Sequence, residues 1–302
     1  MMLLLLALSP VYPSSMKETG DTLRVTFVGD LLLDRGVRDK IEAHGADALF
    51  SPSVDSLFAS SHCVVANLEC PATKVVKPVQ KWIIFRGEPE WLATLHRHGV
   101  THLNLANNHS IDQGREGLMS TIDNVFDAGM TPIGAGSNMQ EAAKPILLAE
   151  HPRKIWVVTS QRLSLENFPY LPERPSVSQE DFSQLTQKVA TLRRDNPDGI
   201  VIVTLHWGGE NTLKPILQQV SEAHRLVDAG ADIIIGHHSH TLQLMEHFRG
   251  KPIYYGIGNF IFDARRPFHD KACAVVMNIS ADDMSVKTVP ISINNCVPTV
   301  DK

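Results

Sequence analysis

The chain of 302 residues has only four cysteines, Cys63, Cys70, Cys273 and Cys296, and no two of them form a CxxC pair. That spacing excludes a zinc ribbon, and the four read as small buried thiols. Positive charge is not in surplus either. The formal net charge is −5, so the concentrated basic face that a nucleic-acid partner needs is missing. There is no apolar run of the roughly 20 residues that span a bilayer. No repeat of fixed period and no low-complexity linker divides the sequence. What is there is ordinary for a soluble globular protein, with 43% hydrophobic and 20% charged residues. Residues 21–302 are expected to form a single domain large enough to bury a sizeable core.

The first residues stand apart. MMLLLLALSPVYPSS (1–15) has the apolar run and the proline–serine exit of an export signal, without its positively charged start. Residues 1–20 are therefore expected to be the remnant of an export signal or a tether. The protein is expected to be exported or membrane-associated in the cell envelope, with a cytoplasmic location as the alternative.

Beyond residue 21 short Val/Ile-rich runs alternate with helical stretches. Strands are predicted at 23–30, 62–69, 100–109, 154–160, 199–208, 231–238 and 251–260. Helices are predicted at 89–99, 115–129, 178–197 and 215–230; Gly99, Gly129 and Gly230 close three of them, and Ser178 with Asp181 opens another. Such alternation predicts an α/β fold with a substantially parallel sheet. The proline-rich stretch 168–178 is the candidate excursion or lid. ACAVVMNIS and MSVKTVPISI fit a terminal hairpin turning at Asp282 and Asp283.

The polar residues are informative by position. Apolar runs end at Asp30, at Asn67 and Glu69, at Asn107, Asn108 and His109, at His206, and at His237, His238 and His240. Open α/β sheets bind ligands at the carboxyl ends of their strands, so these groups converge on one edge. Imidazole nitrogen beside carboxylate and amide oxygen suits a divalent transition metal, Mn, Zn or Fe. Without a thiolate the set does not read as a structural zinc site. Asp30, Glu69, Asn108, His206, His238 and His240 are the candidate ligands, enough for one ion or for two about 3.5–4 Å apart. His238 and His240, one residue apart, point to the same side of an extended segment. Singly, each residue also has a structural reading: Asp30 as a helix cap, Glu69 as a loop residue, Asn107 and Asn108 as turn formers, His109 as a partner of the backbone. His96, His98, His102, His224 and His247 read as structural or exposed.

GDLLLDR (29–35), NLE (67–69), NNHSIDQGREGLMSTID (107–123), GAG (134–136), HWGGE (206–210), GHHSH (236–240) and GNFIFD (258–263) together resemble the CapA family of poly-γ-glutamate capsule synthesis proteins. That family is similar in turn to calcineurin-like metallophosphoesterases. The resemblance implies a four-layer α/β/β/α sandwich with metal at the strand ends. It places Asn108-His109 on an Asn-His motif, His206 on a lone middle histidine, and His238 and His240 on a closing Gly-His-x-His motif. An extra residue after Gly236 makes His237 a second candidate for the first position. The Asp-x-His that usually opens such sites is absent, since Asp30 is followed by Leu31 and Leu32.

In a hydrolase of this kind His109 would be the general acid and Arg35 would clamp an anionic oxygen; Arg35 reads equally as a surface ion-pair partner. Asn67, Asn107, His237 and Asn259 are the candidate substrate contacts, Asn259 having a simple chain turn as its alternative. The implied substrate is an anionic small molecule or polymer, held with help from Arg35, Arg86 or Arg265, and membrane proteins of capsule synthesis are the expected partners. Three functions fit: hydrolysis of a phosphoester, hydrolysis of a γ-glutamyl amide, or handling of a capsule polymer in synthesis or export without catalysis, the metal then being structural or vestigial.

Overall fold

The computed structural model describes residues 22–165 and 168–301; the N-terminal stretch expected to be a signal or tether lies outside them. Two sheets face each other. The first has seven strands in the order β15-β14-β13-β1-β2-β3-β4, formed by β1 (Leu23–Leu31), β2 (Cys63–Leu68), β3 (His102–Asn104), β4 (Thr131–Ile133), β13 (Lys271–Ile279), β14 (Met284–Asn294) and β15 (Val297–Val300). The second has six in the order β11-β12-β10-β9-β7-β6, formed by β6 (Ile146–Ala149), β7 (Ile155–Gln161), β9 (Ile200–His206), β10 (Ile233–His237), β11 (Met245–Phe248) and β12 (Lys251–Tyr254). A short pair, β5 (Ala135–Gly136) and β8 (Ser176–Val177), joins the loops between them. The strands that carry the candidate ligands, β1 with β2 and β9 with β10, run parallel within their sheets.

The nearly continuous apolar runs are sorted by the two-residue period of a strand. In β2, Cys63 and Val65 face the opposite sheet, while Val64, Ala66 and Leu68 face outward to helices. In β9, Ile200 and Ile202 face inward, and Val201, Val203 and Leu205 face outward. Each sheet therefore buries both faces. The outer face of the first is covered by α1 (Arg35–His44), α2 (Pro52–Ala59), α3 (Leu92–Arg97) and α4 (Gly114–Asp127), through Val37, Val54, Phe58, Leu95 and Val125. The short α5 (Met139–Ala142) packs beside β5. The outer face of the second is covered by α6 (Phe182–Asp195) and α7 (Leu217–Asp228), through Leu185, Val189, Ala223 and Leu226. The result is a four-layer α/β/β/α sandwich.

Several boundaries differ from the sequence expectation. The predicted strand 100–109 is regular only over His102–Asn104, after which Asn107 to Asp112 turn back on themselves. The helix predicted from Ser178 starts after Asp181, whose backbone N–H is accepted by Gln184 Oε1. Ser178 instead donates to the Thr159 carbonyl at the sheet edge. The 168–178 stretch is an excursion tied to α4: Arg115 donates to the carbonyls of Pro169 and Pro175 and lies over the Phe168 ring. The terminal hairpin is present as β13 and β14, and β13 also pairs antiparallel with β1. All four cysteines are free and buried.

Candidate metal centre

The site forms where the carboxyl ends of the two sheets meet. β1 and β2 lose register between Phe27 and Asp30, an irregularity that re-aims the side chains after it. Gly29 makes the shift possible, because a Cβ there would stand 2.0 Å from the Gly258 carbonyl oxygen. Asp30 N–H donates to Gly258 O at 3.1 Å, and Phe260 N–H donates to Asp30 O at 2.8 Å. Asp30 thus sits between β2 and the 258–260 loop, fully buried.

Each Asp30 oxygen has its own partners. Oδ1 accepts from Asn67 Nδ2 at 2.8 Å and lies 3.3 Å from His237 Nδ1. Oδ2 accepts from the His238 backbone N–H at 3.2 Å and lies 3.4 Å from His240 Nδ1. Burial pushes the Asp30 carboxyl up, but His237 and His240 outweigh it and hold it well below the carboxylate range.

Glu69 is the opposite case. It follows β2, is buried, and neither carboxylate oxygen has a hydrogen-bond partner. Burial, first, and the neighbouring Asp30 and Glu210 charges push its carboxyl well above the usual range, against the pull of His240 and Lys81. A buried carboxylate without donors is costly unless a cation takes their place. Glu69 Oε1 stands 3.6 Å from His206 Nε2 and 3.8 Å from His240 Nε2.

The imidazoles converge on this carboxylate. His206 Nε2 faces Asn108 Oδ1 at 2.8 Å. His240 Nδ1 faces Asn259 Oδ1 at 3.0 Å, which leaves Nε2 toward Glu69. His238 Nδ1 is buried without a partner. His238 and His240 adopt φ of +86° and +55°, a strained conformation for side chains of this kind, of the sort that collects at functional sites. Burial, then the charge of a neighbouring imidazole, lowers both His206 and His238, the latter to about 4. Burial acts the same way on His240, but Glu69 and Asp30 outweigh it and raise its pKa to about 10.

Two groups of donors follow, and Glu69 belongs to both. Glu69, His206 and His238 form one; Asp30, Glu69 and His240 form the other; in each, one donor atom per residue lies within 4.8 Å of the others. Asn108 Oδ1 adjoins the first through His206. The unpartnered oxygens of Glu69 and the free nitrogen of His238 are what a cation would satisfy, so the donor set fits a divalent metal, with Glu69 common to both groups. Leu32, where a further histidine would be usual, is wholly buried in the outer core.

The other candidates take places around this centre. Asn67 and Asn107 are wholly buried. Asn67 Oδ1 accepts from Asn104 and Asn107, and Asn107 Oδ1 accepts from the N–H groups of His109 and Ser110. Their amides are thus engaged within the protein, as is Asn259, which holds His240 and donates to the His269 carbonyl. His237 lies against Asp30 and outside both donor groups. Arg35, at the start of α1, pairs with Asp263 and lies between the rings of Phe85 and Phe262. Those rings pack on His109 and His240 respectively. Arg265 also pairs with Asp263, and Arg86 pairs with Glu88.

Three groups at the site escaped the sequence reading. Asp112 accepts from His109 Nδ1 at 2.7 Å. Lys81, with only 3% of its side chain exposed, approaches both. His269 is buried beside the His240 ring and pairs with Asn211. Asp112 had a signal, its place in the NNHSID run; Lys81 and His269 lie in coil without periodicity.

Comparison with known proteins fits this arrangement. Residues 24–264 match the family described as "Bacterial capsule synthesis protein PGA_cap". The chain belongs to this family. Among its curated relatives in the capsule synthesis family, the PGA biosynthesis protein CapA of Bacillus subtilis is 33% identical over 83% of this chain and 66% of its own length. The capsule biosynthesis protein CapA of Bacillus anthracis is 30% identical over 84% of this chain and 62% of its own length. The chain thus spans a little under two thirds of these relatives. Among solved structures, the NAD nucleotidase NadN of Haemophilus influenzae covers 90% of this chain with a TM-score of 0.55 at 10% identity, over 56% of its own length. The sulfate thiohydrolase SoxB of Thermus thermophilus covers 91% with a TM-score of 0.51 at 13% identity, over 57% of its own length. The chain therefore shares the overall fold of these solved structures.

Proposed function

We propose that this chain is a metal-dependent hydrolase of the capsule synthesis family, acting on an anionic polymer of the cell envelope or its precursor at a phosphoester or a γ-glutamyl bond. The observation that carries the proposal is the buried Glu69 carboxylate, unpartnered and shared by two histidine-containing donor groups. Asp30, Glu69 and His240 would hold one cation, and Glu69, Asn108, His206 and His238 a second, with Mn, Zn or Fe as the candidate metals. A divalent cation held there supplies Lewis acidity to the bond under attack.

The chain's own residues do the rest. His109, with Nδ1–H directed to Asp112, leaves Nε2 free to take up a proton from the attacking water or from solvent, and the imidazolium so formed would hand that Nε2 proton to the leaving atom. Arg35, fixed between two aromatic rings and partly exposed, offers a guanidinium to an anionic oxygen. Asn67, Asn107 and Asn259 serve as the scaffold that orients Asp30, His109 and His240, and His237 steadies Asp30. The curated relatives' names support envelope association for this chain, and membrane proteins of capsule synthesis are proposed as its partners. Among the described residues no helix is long and apolar enough to cross a membrane.

The second reading, polymer handling without catalysis, is favoured by Leu32, which leaves one cation position a ligand short. Metal analysis of protein purified without chelator comes first, and the hydrolase proposal fails if no transition metal co-purifies or can be reloaded. An aryl phosphate and poly-γ-glutamate, each assayed with loaded protein, then separate the two bonds; tight polymer binding without turnover of either would establish the second reading.

A further inference from the structure

The segment between Glu69 and α3 has little regular structure, yet it inserts a further charged side chain beside the metal centre. The Lys81 side chain is 3% exposed, and that of its partner Asp112 is 0% exposed. A buried ammonium must be matched by acceptors. Lys81 Nζ donates to Asp112 Oδ1 at 2.9 Å and to the Asn108 carbonyl at 2.8 Å, and it stands 3.2 Å from His109 Nδ1. Its neighbours Trp82 and Ile83 are 95% and 44% exposed, so the strap is held at the site by the lysine and by backbone contacts. Those contacts are Val79 N–H to the Asp112 carbonyl and Lys77 N–H to Gln113 Oε1.

The consequence is a fixed imidazole. Asp112 Oδ2 accepts from Phe85 N–H at 2.8 Å and faces His109 Nδ1 at 2.7 Å. With Oδ1 held by Lys81 and Oδ2 by Phe85, the carboxylate has no freedom to rotate away. A carboxylate oxygen at that distance requires the hydrogen on Nδ1, and the ammonium beside Nδ1 donates elsewhere, so the free nitrogen is Nε2. We propose that Lys81 is a positioning residue: by gripping Asp112 and the Asn108 carbonyl it locks the tautomer and direction of His109. Its catalytic consequence rests on the hydrolase proposal; the tautomer does not.

The test uses Lys81→Met and Lys81→Arg in the full chain, with ¹⁵N-histidine labelling and the His109 signal assigned by its loss in His109→Gln. Wild type is expected to show His109 with hydrogen on Nδ1, Lys81→Met a mixture of tautomers, and Lys81→Arg a return toward wild type. An unchanged His109 tautomer in folded Lys81→Met overturns the proposal, whatever the activity. Where turnover is present, kcat on an alkyl phosphate should fall at least about tenfold in Lys81→Met, a part of what a general acid contributes. KM should stay within about twofold, metal content should hold, and the loss should be smaller on an aryl phosphate, whose leaving group needs no proton. An equal loss on both esters with metal lost would make Lys81 merely structural and overturn the catalytic part. If no ester or amide is turned over by wild type, the hydrolase proposal fails and the tautomer result still decides the role of Lys81.

Discussion

At the scale of single residues the centre is defined by one conflict, two buried carboxylates among four imidazoles. Asp30 is matched by donors on both oxygens, while Glu69 has none. His206 is the residue that both Glu69 and Asn108 approach, at 3.6 Å and 2.8 Å. Replacing an outer partner of a metal ligand typically costs about 10–100-fold in affinity, so His206→Ala should lose about 100-fold or more in metal affinity, together with any turnover. Metal titration followed by calorimetry reads this directly, and unchanged affinity would remove His206 from the ligands. The pH dependence of the metal-free protein is set by a neighbour. His240 has a folded pKa raised to about 10, from 6.5. A raised pKa contributes stability that is fully present below 6.5 and is lost as pH rises toward 10. The metal-free protein should therefore show a falling melting temperature across that window, and His240→Gln a flatter profile. Metal competes with the same proton, so its affinity should rise with pH over the same range.

At the scale of elements, the site depends on how β1 ends. The Gly29 Cα faces the 258–260 loop so closely that a Cβ would meet Gly258 O at 2.0 Å and Asn259 C at 2.9 Å. Gly29→Ala must push that loop, and with it Asn259 and His240, away from Asp30. A backbone clash of this kind costs about 3 kcal/mol, or a drop of about 6 °C or more in melting temperature for a domain of this size. Metal affinity should fall with it, as paired thermal melts and metal titrations would show. The same elements explain what was legible beforehand. Asp30, Glu69, His206 and GHHSH stood out because each closes an apolar run, and a strand end fixes both position and edge. The double sheet was legible only through the family resemblance, since continuous runs such as IVIVTLH bury both faces and carry no alternation to reveal it. α1 and α2 were missed because only Val37 and Ile41, and Val54 and Phe58, are their buried positions. Lys81 was out of reach, because its burial comes from tertiary contacts with Asp112 and Asn108 that no local period encodes.

At the scale of the whole molecule the donors are divided between the two sheets. Asp30, Glu69 and Asn108 come from the first sheet and its loops, and His206, His238 and His240 from the second. Between the sheets lies an apolar layer that includes Val25, Phe27, Ile202, Ile235 and Val275. A cation at the edge of that layer would clamp the two sheets together as well as serve chemistry, and it would bind the folded state alone, since the unfolded chain holds these residues far apart in sequence. Free metal at about 1,000 times Kd would then add about 4 kcal/mol of stability, or about 8–16 °C in melting temperature. Chelation should remove that increment in wild type. In His206→Ala a 100-fold loss of affinity should cut the increment to about 1.4 kcal/mol, about 3–6 °C. A variant of an exposed side chain far from the site, such as Arg249→Ala, should keep the full difference. Calorimetry of the three proteins decides the matter: a chelator effect of equal size in all of them would place the bound metal elsewhere and detach the clamp from the proposed site.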